Sequence, residues 1–264
     1  MSASKSAATA AATADIAARV SQAAASATTG EAMSGGLRVE CPDGAYYVGG
    51  LRNGLAHGRG RMQYSNGAYF EGDYVNGERT GTGVLQRADG HRYEGDWVYG
   101  QQTGRGRLSN STGMTYSGDV VRGVATGMGM FADKHGNKYQ GEALNGTPHG
   151  AGRIEWSHGS EFCGDVFNGK MHGFGVYRFA NGAIYEGRYQ HGLKSGFGVL
   201  RDTDEYRGLW RNNKRHGRGR SIADGRTFYG SWKKGQRHGR GGFLEQRRIV
   251  EPSFWRDGVQ ESLV

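Results

Sequence analysis

A short phrase that recurs at a fixed spacing constrains the fold of this chain more than any other feature. An aromatic residue is followed two positions later by glycine, and this pair occurs nine times. The first seven copies are 23 residues apart, and the last two steps are 21 and 22 residues. A fixed period in this range is typical of repeat architectures. The nine aromatic residues are Tyr47, Phe70, Tyr93, Tyr116, Tyr139, Phe162, Tyr185, Tyr206 and Phe228.

The pattern inside one copy predicts a β-hairpin. With the aromatic residue as position 0, glycine stands at +2, +11 and +13 in every copy, and at +7 in all but one, where Asn213 replaces it. Positions 0, +2 and +4 alternate with +1 and +3, and this period of two indicates a strand. A second strand is expected from +11 to +16, and Asn-Gly or Asp-Gly pairs such as Asn66-Gly67 mark the turns. The sequence therefore predicts an all-β fold, an elongated single-layer antiparallel meander of about nine 23-residue β-hairpin repeats.

The glycines also predict which face of the sheet is packed. We expect positions 0, +2, +4, +11, +13 and +15 to share one face, with rings lying over the bare backbone of the next strand. Two strands per repeat at ~4.8 Å spacing would give a rod of roughly 85 Å.

The stretch from Tyr93 to Gly106 resembles the repeat of the MORN family (membrane occupation and recognition nexus) throughout, with Tyr93, Gly95 and Trp97 in the family positions. The in-phase copies cover about residues 43–250. The resemblance implies a twisted ribbon of hairpins that acts as a scaffold. Members of the family work in flagellar axonemes and radial spoke heads, at cytoskeletal collars, at membrane junctions, or as accessory modules on lipid kinases and SET-domain enzymes.

The two ends of the chain fall outside the clean repeats. The predicted organisation is a low-complexity Ala/Ser/Thr-rich tail over residues 1–42, nine MORN repeats over residues 43–250, and a degenerate tenth repeat or capping tail over residues 251–264. We expect disorder over residues 1–36, with a short helix over residues 15–27 or a transit peptide as alternatives. In the last segment Trp255 falls 23 residues after Trp232, and the terminal Ser262-Leu263-Val264 fits a PDZ-type ligand.

The net charge of +9 is concentrated in one part of the chain. Residues 206–257 hold 14 Lys/Arg and 4 Asp/Glu, which is +10, so the remainder sums to −1. Position +3 is acidic in repeats two to six, and then changes to Arg188, Leu209 and Ser231. One interpretation is solubility and cross-strand pairing, such as Asp96 with Arg105 or Arg107. The other is a docking end for an acidic partner: tubulin tails, anionic lipid or, least favoured, nucleic acid.

The candidate contacts for such an acidic partner or lipid are Arg207, Arg211, Lys214, Arg215, Arg218, Arg220, Lys233, Lys234, Arg237 and Arg240.

Position +4 suggests a second binding surface, because large rings there flank a middle stretch of small residues. A single-layer sheet has no second layer to cover its packed face, and exposed apolar patches mark interaction sites. We therefore hypothesise a partner segment gripped by these rings, against the alternative that they only pack on neighbouring glycines. The candidate partner-binding rings are Tyr74, Trp97, Tyr189, Trp210 and Trp232.

No motif indicates catalysis or cofactor or metal binding. Five histidines share position +10, but equivalent positions in adjacent repeats stand ~9–10 Å apart, too far to share one zinc ion. The Gly-x-Gly pairs lack the third glycine of a dinucleotide fingerprint. We expect no enzyme activity, no cofactor and no metal site. The chain also has no run of 18 apolar residues, so no membrane-spanning helix is predicted.

These observations favour a non-enzymatic protein–protein scaffold of the cytoplasmic cytoskeleton, with a ciliary or flagellar axoneme, such as a radial spoke, implied by the family. The first alternative is a phosphoinositide- or anionic-membrane-binding module that uses the basic C-terminal end. The second is an adaptor for a motor or kinase tail. The expected partners are proteins of a cytoskeletal complex, with homodimerisation and end-to-end association left open.

Overall fold

The computed structural model describes residues 37–245 and 248–261. All regular structure in these ranges is β-strand, which confirms the predicted all-β meander. The chain divides into two compact units, Met1–Lys134 and His135–Val264. The predicted helix or transit peptide before residue 37 and the terminal Ser262-Leu263-Val264 lie outside the described residues.

The first unit holds nine strands, each paired antiparallel with the next along the chain. They are β1 (Leu37–Glu40), β2 (Tyr46–Arg52), β3 (Leu55–Gln63), β4 (Tyr69–Val75), β5 (Glu78–Gln86), β6 (Arg92–Val98), β7 (Gln101–Ser109), β8 (Thr115–Val121) and β9 (Val124–Ala132). Strand β1 falls within the segment assigned to the low-complexity tail. It is ordered by the first hairpin, because Val39 pairs with Tyr47 and is buried there.

The second unit continues the same meander with twelve strands over its described residues. They are β10 (Lys138–Leu144), β11 (Thr147–Glu155), β12 (Glu161–Phe167), β13 (Lys170–Arg178), β14 (Ile184–Gln190), β15 (Leu193–Arg201), β16 (Glu205–Arg211), β17 (Lys214–Ala223), β18 (Arg226–Lys233), β19 (Gln236–Glu245), β20 (Arg248–Arg256) and β21 (Val259–Glu261). Trp255 on β20 stands where a tenth repeat would place its +4 residue, and it contacts the ring of Phe228.

The turn inside each hairpin explains the residues at +6 and +7. Both positions adopt positive φ, as in Asn76 (50°) and Gly77 (83°), which is what a type I′ turn requires. Asn213, the one residue that replaces glycine at +7, has φ of 65° and tolerates this conformation because its short polar side chain suits it.

Each hairpin also contains a bulge that the sequence pattern did not predict. Between β6 and β7 the pairing passes from Gly95–Gly106 to Trp97–Gln102, so one residue faces three. The glycine at +11 lies in this bulge with positive φ, and Gly104 there packs against the Asp96 side chain. The assignment of +11 to the ring-packed face is therefore wrong. Its glycine is required by backbone conformation and by the neighbouring +3 side chain.

The glycines at +2 and +13 do lie beneath the rings, as predicted. A Cβ atom placed on Gly72 or Gly83 would stand 2.8 or 2.5 Å from Cζ of Phe70, closer than non-bonded carbon atoms approach. The ring at position 0 thus occupies the space of two absent side chains on paired strands. This meshing of ring and bare backbone defines the inner face of the sheet in both units.

Candidate functional site

The inner face carries an interleaved row of aromatic rings. Each +4 ring contacts the position-0 ring of its own repeat and that of the preceding repeat, edge to face. Trp97 lies 5.5 Å from Tyr93 and 4.8 Å from Phe70, and Trp210 lies 5.2 Å from both Tyr206 and Tyr185. Edge-to-face contacts at these distances are the favoured arrangement for aromatic pairs. We call this set of 0 and +4 rings the inner ring row.

Hydrogen bonds fix the polar ends of these rings. The Tyr93 hydroxyl donates to the Asp96 carbonyl oxygen at 2.7 Å, and all six tyrosines at position 0 make this bond to the +3 carbonyl. The Trp97 indole Nε1–H donates to the Gly83 carbonyl of the preceding repeat at 3.2 Å. Burial raises the pKa of Tyr93 to about 12. The inner ring row is therefore a packed core.

This finding bears on the five rings proposed to bind a partner. Tyr74, Trp97, Tyr189, Trp210 and Trp232 are only 2–6% exposed. The hypothesis expected these rings to be exposed. That expectation is wrong, because each ring is covered by the rings and strands beside it. In both units these rings are core side chains, and this favours the alternative that they pack on neighbouring repeats.

Sequence reasoning missed a row of cations on the same face. The +9 residue stands directly opposite the +4 ring across the turn, as in Tyr74–Arg79 and Trp210–Arg215. The Arg79 guanidinium lies 5.0 Å from the Phe70 ring and donates to the Tyr64 hydroxyl. The signal was available in the register of the hairpin, but a charged residue beside a turn is usually read as exposed.

Lys194 is the lysine at this position, and its side chain is half-buried. Its Nζ lies 4.7 Å from the rings of Phe179 and Tyr185 and 5.1 Å from Trp210. Burial, and secondarily the charge of Arg215, lowers the pKa of Lys194 to about 8. The side chain exchanges hydration for contacts with ring faces, which attract cations.

The ten predicted contacts for an acidic partner divide into three groups. Arg215 and Arg237 turn to the inner face, where their guanidinium groups lie 4.8 and 4.3 Å from the rings of Tyr206 and Phe228. Arg220 is half-buried on the opposite, outer face. The seven that are exposed are Arg207, Arg211, Lys214, Arg218, Lys233, Lys234 and Arg240. These seven form the exposed basic set, and only they are available to a partner without rearrangement.

The acidic +3 residues have a local structural role. The Asp96 carboxylate accepts the backbone N–H of Arg105 at 2.7 Å, inside the bulge. Asp73, Asp119 and Asp165 make the equivalent bond at 2.9–3.0 Å. The Arg105 side chain itself pairs with Asp119 at 3.5 Å, and not with Asp96 as expected. The acidic stripe is thus a series of bulge caps.

The described residues contain no group of three or more His, Cys, Asp or Glu side chains able to hold a metal ion. Within the same ranges, no helix is long and apolar enough to cross a membrane.

Comparison with protein families matches the MORN repeat model to eight segments of the chain. They are residues 47–69, 70–92, 93–115, 139–161, 162–184, 185–205, 206–225 and 228–244. Residues 116–138 are not matched, although their hairpin of β8 and β9 has the same register and bulge. A comparison with curated proteins gives no significant match.

Among solved structures, the chain is similar to the TCP10 domain of Danio rerio CPAP in complex with a STIL peptide. Identity is 12%, with 83% of this chain and 98% of that chain covered and a TM-score of 0.36. The TCP domain of Drosophila melanogaster SAS-4, in complex with a proline-rich motif of Ana2, is also 12% identical. That match covers 54% of this chain and 77% of the other, with a TM-score of 0.36. Scores this low support no inference about this chain.

Proposed function

Because this chain belongs to the MORN-repeat family, we propose that it is a non-enzymatic protein–protein scaffold of the cytoskeleton. The observation that carries the proposal is that the two faces of each hairpin differ in burial and in how much their side chains vary between repeats. Inner side chains at 0 and +4 are buried in packing, whereas outer side chains vary between repeats and include exposed apolar and basic groups. A surface that varies on a constant frame suits the binding of other proteins.

The proposed setting is a ciliary or flagellar axoneme, such as a radial spoke, and its support is the family alone. Tagging the endogenous protein, extracting cells with detergent and cross-linking the axonemal fraction would test it. We expect the protein in the extracted axoneme, with a reproducible set of cross-linked neighbours. Recovery only in the detergent-soluble fraction would contradict the axonemal setting.

A second candidate, binding to anionic membranes, is favoured by the exposed basic set. Basic side chains near an anionic surface contribute about 1 kcal/mol each. Sedimentation with vesicles that contain phosphoinositide would test this, using a Lys233→Gln/Lys234→Gln variant. The matched control is Lys138→Gln/Lys170→Gln, which removes the same charge from exposed positions outside residues 206–257. Loss of sedimentation in the first variant alone supports membrane binding, and equal binding by all three proteins rejects it.

A further inference from the structure

The outer face of the second unit carries apolar side chains that the fold does not need. Phe174, Phe197 and Leu209 are 53%, 55% and 42% exposed. They lie on β13, β15 and β16, and Phe197 pairs directly with Leu209. We call these three residues, together with Arg188, Arg207 and Arg218, the outer patch.

Comparison between repeats shows why the apolar residues are not structural. Leu209 occupies position +3, where Asp96 and Asp165 cap the bulge in other repeats. Its Cδ1 lies over Gly217 in the same way that the Asp96 carboxylate lies over Gly104. A leucine cannot accept the bulge N–H, so this repeat lacks the cap that aspartate provides and carries an apolar group at the surface instead.

The same comparison applies to Phe197. It stands at position +12, where the second repeat has Thr82 and the fifth has Ala151 in the same bulge. The hairpin therefore folds with a small side chain at this place. Phe197 is more than half exposed there, so its ring adds little to the packing of the hairpin. An exposed apolar group of this kind is typical of an interaction site.

Arginine side chains lie beside the apolar groups on the same face. Phe174 pairs with Arg188, and Arg207 pairs with Val199, two residues beyond Phe197. Arg218 follows on the next strand after Leu209. Arg188 stands on β14, between the strands of Phe174 and Phe197, and its side chain lies beside Gly196. Arg207 lies 4.0 Å from Glu205, whereas among the described residues neither Arg188 nor Arg218 has a carboxylate within 4.0 Å. The outer patch thus alternates apolar and positively charged side chains.

The spacing of the strip matches one face of an α-helix. Strands lie ~4.8 Å apart, so Phe174 and Phe197 are separated by ~9.6 Å across the sheet, and Leu209 by a further ~4.8 Å. A helix advances ~1.5 Å per residue, so side chains at i, i+7 and i+10 or i+11 stand ~10.5 and ~5–6 Å apart. Acidic side chains beside such a stripe would face the arginines.

We propose that the outer patch docks an amphipathic acidic helix of another protein, laid across strands β13–β17. The apolar stripe of the helix covers Phe174, Phe197 and Leu209, and its carboxylates pair with Arg188, Arg207 and Arg218. This inference rests on the proposed scaffold function and names the chemistry of one partner.

The test uses the full chain and a displayed library of helix-forming peptides, selected in parallel on wild type and on a Phe197→Thr/Leu209→Asp variant. Both substitutions introduce residues that other repeats carry at these positions, so the variant should remain folded. Leu209→Asp should restore a bulge cap and leave thermal stability equal or higher. The matched control is Met128→Thr, which removes an exposed apolar group at position +12 in the first unit.

We expect selected peptides to carry an apolar stripe flanked by Glu or Asp, and to bind wild type and Met128→Thr at least tenfold more tightly than the double variant. If every selected peptide binds the double variant equally well, the proposal is overturned. It is likewise overturned in favour of a membrane if only phosphatidylserine vesicles distinguish wild type from the variant. A change in sedimentation from dimer to monomer, without peptide selectivity, would assign the patch to self-association instead.

A failure of this inference can be distinguished from a failure of the proposed scaffold function. Cross-linked axonemal neighbours that persist with the double variant would leave the scaffold proposal standing while removing the outer patch from it.

Discussion

Backbone conformation sets the residue preferences at the hairpin turns. The residue at +6 has positive φ in every repeat, and this conformation costs most side chains about 1–2 kcal/mol. Asparagine occupies it in five of the nine repeats, at positions 53, 76, 145, 168 and 212. Tyr99 occupies it with φ of 47° although its ring is 82% exposed and gains little from packing.

Tyr99→Asn should therefore stabilise the protein by about 1 kcal/mol, because asparagine tolerates the left-handed conformation better than tyrosine. The measurement is the free energy of unfolding in urea. The reverse change, Asn76→Tyr, is the control and should destabilise by a similar amount. Equal midpoints for Tyr99→Asn and wild type would show that the turn is not strained.

Burial of Lys194 links folding stability to pH. Its folded pKa of about 8 is below the ordinary value of 10.5. Between these pH values the unfolded chain binds a proton that the folded chain lacks, so folding stability rises as pH increases. Tyrosines of the inner ring row, whose pKa values are raised, act in the opposite direction only above about pH 10.

From pH 7.5 to 9.5, wild type should gain stability relative to Lys194→Met. Denaturation curves at several pH values would measure this difference, and Lys170→Met, at an exposed lysine, serves as the control. Parallel pH profiles for wild type and Lys194→Met would mean that the amine titrates as it does in water.

At the level of the hairpin, the bulge places extra residues in the second strand relative to the first. The glycine at +11 turns the backbone, and the +3 carboxylate holds the bulge by accepting the +12 N–H. Where Leu209 or Ser231 replaces the carboxylate, the register shift is still present. The cap therefore adds stability to a bulge that glycine already permits.

Asp96→Ala should destabilise the protein by about 1.5–3 kcal/mol, the range for a hydrogen bond to a charged group. Thermal and urea unfolding would measure the loss. Glu78→Ala removes an exposed carboxylate outside the bulges and should cost less. A loss for Asp96→Ala no greater than that for Glu78→Ala would contradict the capping role.

The hairpins and the ring-over-glycine packing could be predicted from the sequence, because a period of two and a fixed phase specify strands and faces. The bulge could not be predicted, because the sequence does not distinguish a glycine that lies beneath a ring from a glycine that has positive φ. The cations on the inner face were missed for a related reason. Arg79 and Lys194 look like solvated charges until the register places them opposite Tyr74 and Tyr189. The outer patch became visible only when equivalent positions were compared on the structure.

On the scale of the whole chain, stability is distributed over many equivalent contacts between neighbouring hairpins. Within each unit, neighbouring repeats pack through the position-0 ring and the +4 side chain, which is itself a ring in five of the nine repeats. In such arrays stability is close to a sum of nearest-neighbour terms.

Deleting residues 70–92, one whole repeat, should therefore leave a folded protein of lower stability. Tyr93 would take the place of Phe70, and Trp97 would meet Tyr47 where Tyr74 does now. Circular dichroism and urea unfolding would show a retained β-sheet signal with a lower midpoint. Deleting residues 70–77, which removes one strand and its turn, should abolish cooperative unfolding, because the following strand would then run in the wrong direction. Similar behaviour of the two deletions would contradict the modular account.

The inner ring row also gives the second unit an intrinsic fluorescence signal that responds to local unfolding. The Trp210 ring lies 5.2 Å from the rings of both Tyr185 and Tyr206, and Trp232 lies 5.0 Å from Tyr206. Light absorbed by these phenols passes to the indoles faster than the phenols can emit, so the native fluorescence is that of tryptophan. Local opening of one hairpin separates donor from acceptor, and phenol emission then returns at that place before the rest of the chain unfolds.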